Sequence, residues 1–188
     1  LSSIDCVEVD EHFFEILGND RLMPHLHLSI QSGDAMILKR MKRRHSPEDV
    51  NNFIERCRKI RKEITFGADI IAGFPTENEG MFKNTYNLLN DNQISHLHIF
   101  PFSPKKNTPA ARMPQLDKSI IKKRAQDLRL LGDNILSLVK KNLSNERKIL
   151  IEELNTHHIS GYDQNYIKHQ IPMIGMSLGE IVTTQCSF

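Results

Sequence analysis

Two histidine pairs, His25-Leu26-His27 and His96-Leu97-His98, place imidazoles two residues apart, the spacing that puts both on one face of a strand. Such pairs on a barrel strand can hold zinc. A second set of polar groups follows four short apolar runs: Ser2, Ser3 and Asp5; Ser29, Gln31, Ser32 and Gly33; Gly73, Thr76 and Glu77; Ser103 and Thr108. Hydroxyls, an amide, carboxylates and bare backbone gathered in this way suit a polar ligand with a ribose or amino-acid portion. A third set is the basic run Lys39, Arg40, Lys42, Arg43 and Arg44, followed by His45 and supplemented by Lys105-Lys106, Arg112, Lys122-Lys123-Arg124 and Lys140-Lys141. Clusters of this kind can track phosphates.

Each set also has a plainer explanation. Strand exits are turns, and turns are rich in Ser, Gly, Asp and Pro; four such exits in succession weaken that explanation. A lone basic run is usually a solvated helix face, and with 25 basic against 23 acidic side chains the net charge is only +2. Both histidine pairs stand at the amino ends of their strands, away from where a parallel sheet binds its ligand. They are therefore expected to be structural or supporting, and no metal ligand set is assigned. His157-His158 is expected on a surface loop.

The elements that must position these groups alternate. A short strand ends near Ile4; a helix follows over about 9–17 and stops at Gly18-Asn19. The strand His25 to Ile30 comes next, then a short helix from about Asp34 to Met41. Ser46-Pro47-Glu48-Asp49 is a strong helix start: an N-cap hydroxyl, proline at the first helical position and acids at the positive end of the dipole. Its helix carries Val50, Phe53, Ile54, Cys57 and Ile60 at three- and four-residue intervals. The segment GADIIAGFPTE, Gly67 to Glu77, reads as a strand covered on both faces that breaks at Gly73 and Pro75. A helix over about 78–90 and a strand over 97–102 follow, then a long helix within 116–143. Strands alternating with helices imply an α/β fold with parallel pairing and right-handed crossovers. Beyond Asn142, Ile149-Leu150-Ile151, Tyr166-Ile167 and Gly179 to Val182 read as short β segments, with Ser160-Gly161-Tyr162-Asp163 as a turn.

Three cysteines far apart, Cys6, Cys57 and Cys186, fit a reducing compartment better than a disulfide framework. With no apolar run near the ~20 residues of a membrane helix, the chain is expected to be cytoplasmic, with no membrane partner.

Taken together, LSSID, HLHLSIQSG with the following LKRMKRRH, GADIIAGFPTE, and HIFPFSP with TPAARMP resemble the radical S-adenosylmethionine methylthiotransferases, most nearly the branch that modifies threonylcarbamoyladenosine beside the tRNA anticodon. The resemblance implies the C-terminal part of a partial (βα)6 radical SAM barrel with its trailing helix over residues 1–143, followed by a small β module of the TRAM type over 144–188. It implies cofactor contacts from Gln31 and Ser32, from the glycine-rich segment Asp69 to Glu77 with Gly73 letting the cofactor approach and Glu77 closing the turn, and from Phe100 and Pro101 beside the adenine. It implies tRNA as partner, with Lys39, Arg40, Lys42, Arg43 and Arg44 as the RNA-facing run.

The departures from the family pattern concern its cofactors. The family uses S-adenosylmethionine with 4Fe-4S clusters, one of them held by CxxxCxxC, and this sequence contains no such spacing. No residue of this chain is therefore assigned to catalysis, and a separate N-terminal half would have to carry the clusters. The alternatives are a non-catalytic remnant or tRNA-binding module, and, ranked last, a zinc-dependent barrel hydrolase using the HxH pairs. Asn107 stands in place of a usual glycine, where asparagine can adopt the left-handed conformation.

Overall fold

The computed structural model describes residues 1–156, 158–172 and 175–186. Three parallel strands, β1 (His25–Gln31), β2 (Thr65–Ala72) and β3 (His96–Pro101), form one sheet in the order β1-β2-β3. Before them comes α1 (Glu11–Leu17), capped by the Asp10 carboxylate. Between β1 and β2 lie α2 (Ala35–Arg40) and α3 (Pro47–Ile60), and between β2 and β3 lies α4 (Glu79–Asp91). The Ser46 start of α3 is a full capping box: the Ser46 hydroxyl accepts the Asp49 N–H and the Asp49 carboxylate accepts the Ser46 N–H. Asn78 caps α4 by accepting the Met81 N–H at 2.9 Å.

The strand expected near Ile4 is reduced to a single parallel bridge, Ile4 to Leu28. Backbone bonds from Ile4 N–H to the His27 carbonyl and from His27 N–H to the Leu1 carbonyl, both 3.0 Å, still lay this segment along β1.

One apolar core lies under the sheet. Leu26, Leu28 and Ile30 of β1, and Phe66, Ala68, Ile70 and Ala72 of β2, pack with Phe14 and Leu17 of α1, Val50, Phe53, Ile54 and Cys57 of α3, and Phe82 and Leu89 of α4. The long helix α5 (Lys118–Asn142) adds Ala125, Leu128, Leu131 and Ile135. At Gly132 a Cβ would stand 3.2 Å from Leu97 Cδ1, so the glycine lets α5 lie close against β3. β2 is not covered equally on its two faces: Ile71 is only half-buried.

After α5 the chain forms a four-stranded antiparallel sheet in the order β6-β5-β4-β7, from β4 (Glu146–Leu154), β5 (His158–Asp163), β6 (Lys168–Pro172) and β7 (Ile181–Gln185). Its small core is Ile149, Ile151 and Ile159, with Ile171, Met176, Val182 and Cys186 against it. This sheet departs from the expectations at three places. Ser160 to Asp163 is not a turn but the body of β5, because Gly161 marks a close backbone approach: a Cβ there would stand 1.9 Å from the Leu150 carbonyl oxygen. Tyr166 and Ile167 are not a strand but lie in the β5–β6 turn, with Tyr166 at φ 62°. His158 opens β5, whereas His157 lies outside the described residues.

That turn docks the second sheet onto the amino end of the first. The Asn165 side-chain amide donates to the carbonyls of Pro24 (3.2 Å) and Glu63 (2.8 Å), and the Thr65 hydroxyl donates to the Asn165 carbonyl (3.1 Å).

Candidate functional site

Alternation along the three strands sends apolar side chains into the core and leaves a polar face opposite. Register places His27 beside Gly67, Gly67 beside His96, Asp69 beside His98 and Ile71 beside Phe100. The lowest layer holds His25 and His96, whose ring centroids are 4.7 Å apart, with Tyr166 stacked on His25 at 5.2 Å and its carbonyl 3.0 Å from His96 Nε2. Burial pushes the pKa of His25 down to about 3 and that of His96 down to about 4, so both rings are neutral near neutral pH. A structural or supporting role is the expectation for both histidines of each pair, and the packing of His25 and His96 is of that kind. The layer above joins His27 Nε2 to Asp69 Oδ1 at 3.0 Å and His98 Nδ1 to the same oxygen at 3.3 Å.

At the carboxyl end, β1 carries a bulge between Leu28 and Gln31. Gln31 adopts φ 67° and its side-chain amide donates to the Ser29 hydroxyl at 3.1 Å. A bulge at a strand exit re-aims a side chain in this way. Here Gln31 joins a cleft of about 380 Å³ whose other walls are Arg40 to Arg43, Ile71 and Phe74, and Thr108 to Ala110. That volume lies within the usual range of small-molecule sites.

The basic run divides by function. Arg40 is held in place, its Nη1 donating to the Thr76 hydroxyl at 2.7 Å, while Arg44 is ion-paired with Glu8. Lys39, Lys42 and Arg43 are exposed, and of these Lys42 and Arg43 line the cleft. Asn107 adopts φ 68°, the left-handed conformation expected of it, and turns the chain so that Thr108 can reach the same cleft.

The remaining sequence-derived site residues are distributed differently. Asp69 and Phe100 lie on the polar face below the cleft, with Phe100 about half exposed. Ser32 is 1% exposed; its hydroxyl accepts the Asp34 N–H and meets the Thr85 hydroxyl at 3.2 Å, so it ties β1 to α4. Gly73 has φ +75° and turns its bare Cα towards Ile121, whose Cγ1 would be 2.7 Å from a Cβ. Glu77 closes its turn through its N–H to the Phe74 carbonyl (3.0 Å), and its carboxylate meets Arg124 of α5 at 2.6 Å. Pro101 lines a separate groove with Phe102, Ile121 and Arg129. Asp69 could have been singled out for its partners from its type alone, as a lone acid within the apolar run of β2. Its two histidines could not, since they lie on other strands.

The three thiols are free and on different parts of the fold: Cys57 in the core face of α3, Cys6 near the start of the chain, and Cys186 beside the second sheet. Burial pushes the Cys6 and Cys57 thiols up to about 12.

Residues 3–89 match the Radical SAM superfamily model. The chain is 49% identical over 164 residues to the threonylcarbamoyladenosine tRNA methylthiotransferase MtaB of Rickettsia prowazekii, covering 86% of this chain and 39% of that protein. It is 35% identical to the MtaB of Thermotoga maritima, over 96% of this chain and 42% of that one. To a tRNA-2-methylthio-N(6)-dimethylallyladenosine synthase of Zymomonas mobilis it is 37% identical, over 77% of this chain and 33% of the other. The chain thus spans about two fifths of the length of the first two relatives. Similarity of this strength, reaching across the parallel sheet and well into the chain beyond it, makes the chain a member of the radical SAM methylthiotransferases.

Proposed function

We propose that this chain supplies the cofactor-facing rim and the RNA-facing basic surface of a tRNA methylthiotransferase acting on threonylcarbamoyladenosine beside the anticodon. The observation that carries the reading is the shared cleft at the strand exits, where Gln31, Ile71 and Phe74 meet Lys42, Arg43 and Thr108. A cofactor with a ribose and an amino-acid portion would sit against Gln31, with Phe100 and Asp69 beneath it, while the exposed cations receive phosphate. Ser32, Gly73, Glu77 and Pro101 would act from behind by fixing the loops. The second sheet is read as the TRAM-type module, joined to the amino end of the parallel sheet through Asn165.

The family's cofactors are S-adenosylmethionine and 4Fe-4S clusters. The residues present do not fit a cluster: ligation needs several convergent thiolates, whereas the thiols here lie apart and burial keeps Cys6 and Cys57 protonated. The cluster ligands would come from residues outside this chain, and no chemical step is derived through a cluster. The same misfit favours a second reading, a tRNA-binding module without chemistry of its own.

Both readings require RNA binding at the cleft. A fluorescent anticodon stem-loop titrated with the chain should bind, and Lys42→Glu with Arg43→Glu should weaken binding in a salt-dependent manner. Equal affinity of parent and double variant at low salt would remove the cleft from the RNA site.

A further inference from the structure

We propose that His27, Asp69 and His98 form a binding site for a single zinc-type divalent cation on the polar face of the parallel sheet. Each residue comes from a different strand, and one ligand atom from each lies within 4.8 Å of the others. His27 Nε2 and His98 Nδ1 converge on one and the same carboxylate oxygen, at 3.0 and 3.3 Å. A tetrahedral ion with bonds of ~2.0–2.2 Å to nitrogen and oxygen sets its ligands ~3.3 Å apart. Two of the three ligand spacings are thus close to those an ion needs, and the third lies within 4.8 Å.

Two imidazoles and one carboxylate are borderline donors, suited to zinc and its transition-metal neighbours rather than to magnesium or calcium, which prefer all-oxygen shells. The ligands ride on paired strands, so their backbone positions are fixed by the sheet. Gly67 contributes the room: a Cβ there would stand 2.4 Å from His27 Nδ1, so the bare Cα lets the His27 ring lie across β2 towards Asp69. The site is buried on the His27 side, with 11% of that side chain exposed, and open on the His98 side, with 62% exposed. An ion could enter from the open side and keep a fourth position for water or a ligand group, the arrangement of three-ligand zinc centres. Ile71 and Phe100 pair two residues further along the strands, and Ile71 also lines the cleft.

The test uses the 188-residue chain, stripped with chelator, titrated with Zn²⁺ by calorimetry and with Co²⁺ by visible absorbance. One equivalent should bind, and Asp69→Asn or His98→Ala should each weaken it at least ~10-fold, since losing even a supporting partner typically costs ~10–100-fold. Cys6→Ser, in the other cluster of potential ligands, Asp5, Cys6 and His45, should leave it unchanged. Zn²⁺ should also raise the melting temperature of the parent but not of His98→Ala, whose exposed position makes loss of folding a poor explanation. Absence of saturable binding, or binding that survives His98→Ala or disappears in Cys6→Ser, would overturn the site.

Discussion

Arg124 Nη1 lies 2.6 Å from Glu77 Oε1, with the two side chains 7% and 3% exposed. The same nitrogen donates to the Glu77 carbonyl at 3.0 Å, and the guanidinium stands 5.1 Å from the Phe82 ring centroid. This pair joins the exit turn of β2 to α5 and so fixes one side of the cleft. Burial pushes the Glu77 carboxyl up, and the neighbouring Arg124 offsets only part of that rise. Arg124→Ala would strand the carboxylate and is expected to cost about 3–5 kcal/mol, whereas Arg124→Met combined with Glu77→Gln should cost much less. Urea unfolding of the three proteins measures both; equal losses in the single and double variants would contradict the pairing.

The second sheet should be fastened chiefly by Asn165. Asn165→Ala leaves the Glu63 carbonyl without its donor, while the Pro24 carbonyl keeps the Thr65 N–H at 2.9 Å, and should cost ~1–3 kcal/mol for the buried group left unsatisfied. Limited proteolysis would then cut near Leu143 to Asn145 faster than in the parent. Unchanged protection would mean that apolar contact alone holds the sheet.

Asp163 should make the second sheet acid-sensitive. Burial pushes its carboxyl up, but Arg147 at 2.8 Å, His169 at 2.9 Å and backbone N–H groups overcome that and hold it below its ordinary range. A depressed folded-state value contributes stability above the unfolded pKa of ~3.9, and that stability is lost as pH falls through the folded value. Melting followed from pH 6 to below that value should therefore fall more steeply in the parent than in Asp163→Asn. Parallel profiles would contradict the assignment.

The Asn107 turn offers a backbone test. At φ 68°, Asn107→Val should destabilise by about 1–2 kcal/mol through the left-handed conformation, and Asn107→Gly should be neutral or slightly favourable. Calorimetric melting of both variants decides; a neutral valine would mean that the turn relaxes.

Local signals carried most of the fold. The Ser46 capping box, the Asp34, Asn78 and Asp117 caps and the breaks after each strand all lie within a few residues of the elements they bound. The Ile4 strand fell short because only one bridge is geometrically satisfied. Gly161 misled because a glycine that admits a neighbouring backbone reads, in one dimension, like a glycine that turns. The site was legible only in part. Gln31 and the basic run could be chosen by type and place, but the meeting of His27, Asp69 and His98 depends on strand register across separations such as the 42 residues between His27 and Asp69. The capture of Pro24 by Asn165, 141 residues away, likewise has no local trace.

The most direct test of the proposed role puts this chain into the Rickettsia prowazekii MtaB in place of that protein's own matched region. After anaerobic loading with iron and sulfide, the chimera would be given S-adenosylmethionine, a sulfur source, reductant and tRNA carrying threonylcarbamoyladenosine, and the nucleosides read by mass spectrometry. The account predicts the methylthio derivative, lost on Lys42→Glu with Arg43→Glu. A chimera that holds its cluster and binds the tRNA yet forms no methylthio product would contradict it, and would leave this chain as an RNA-binding module.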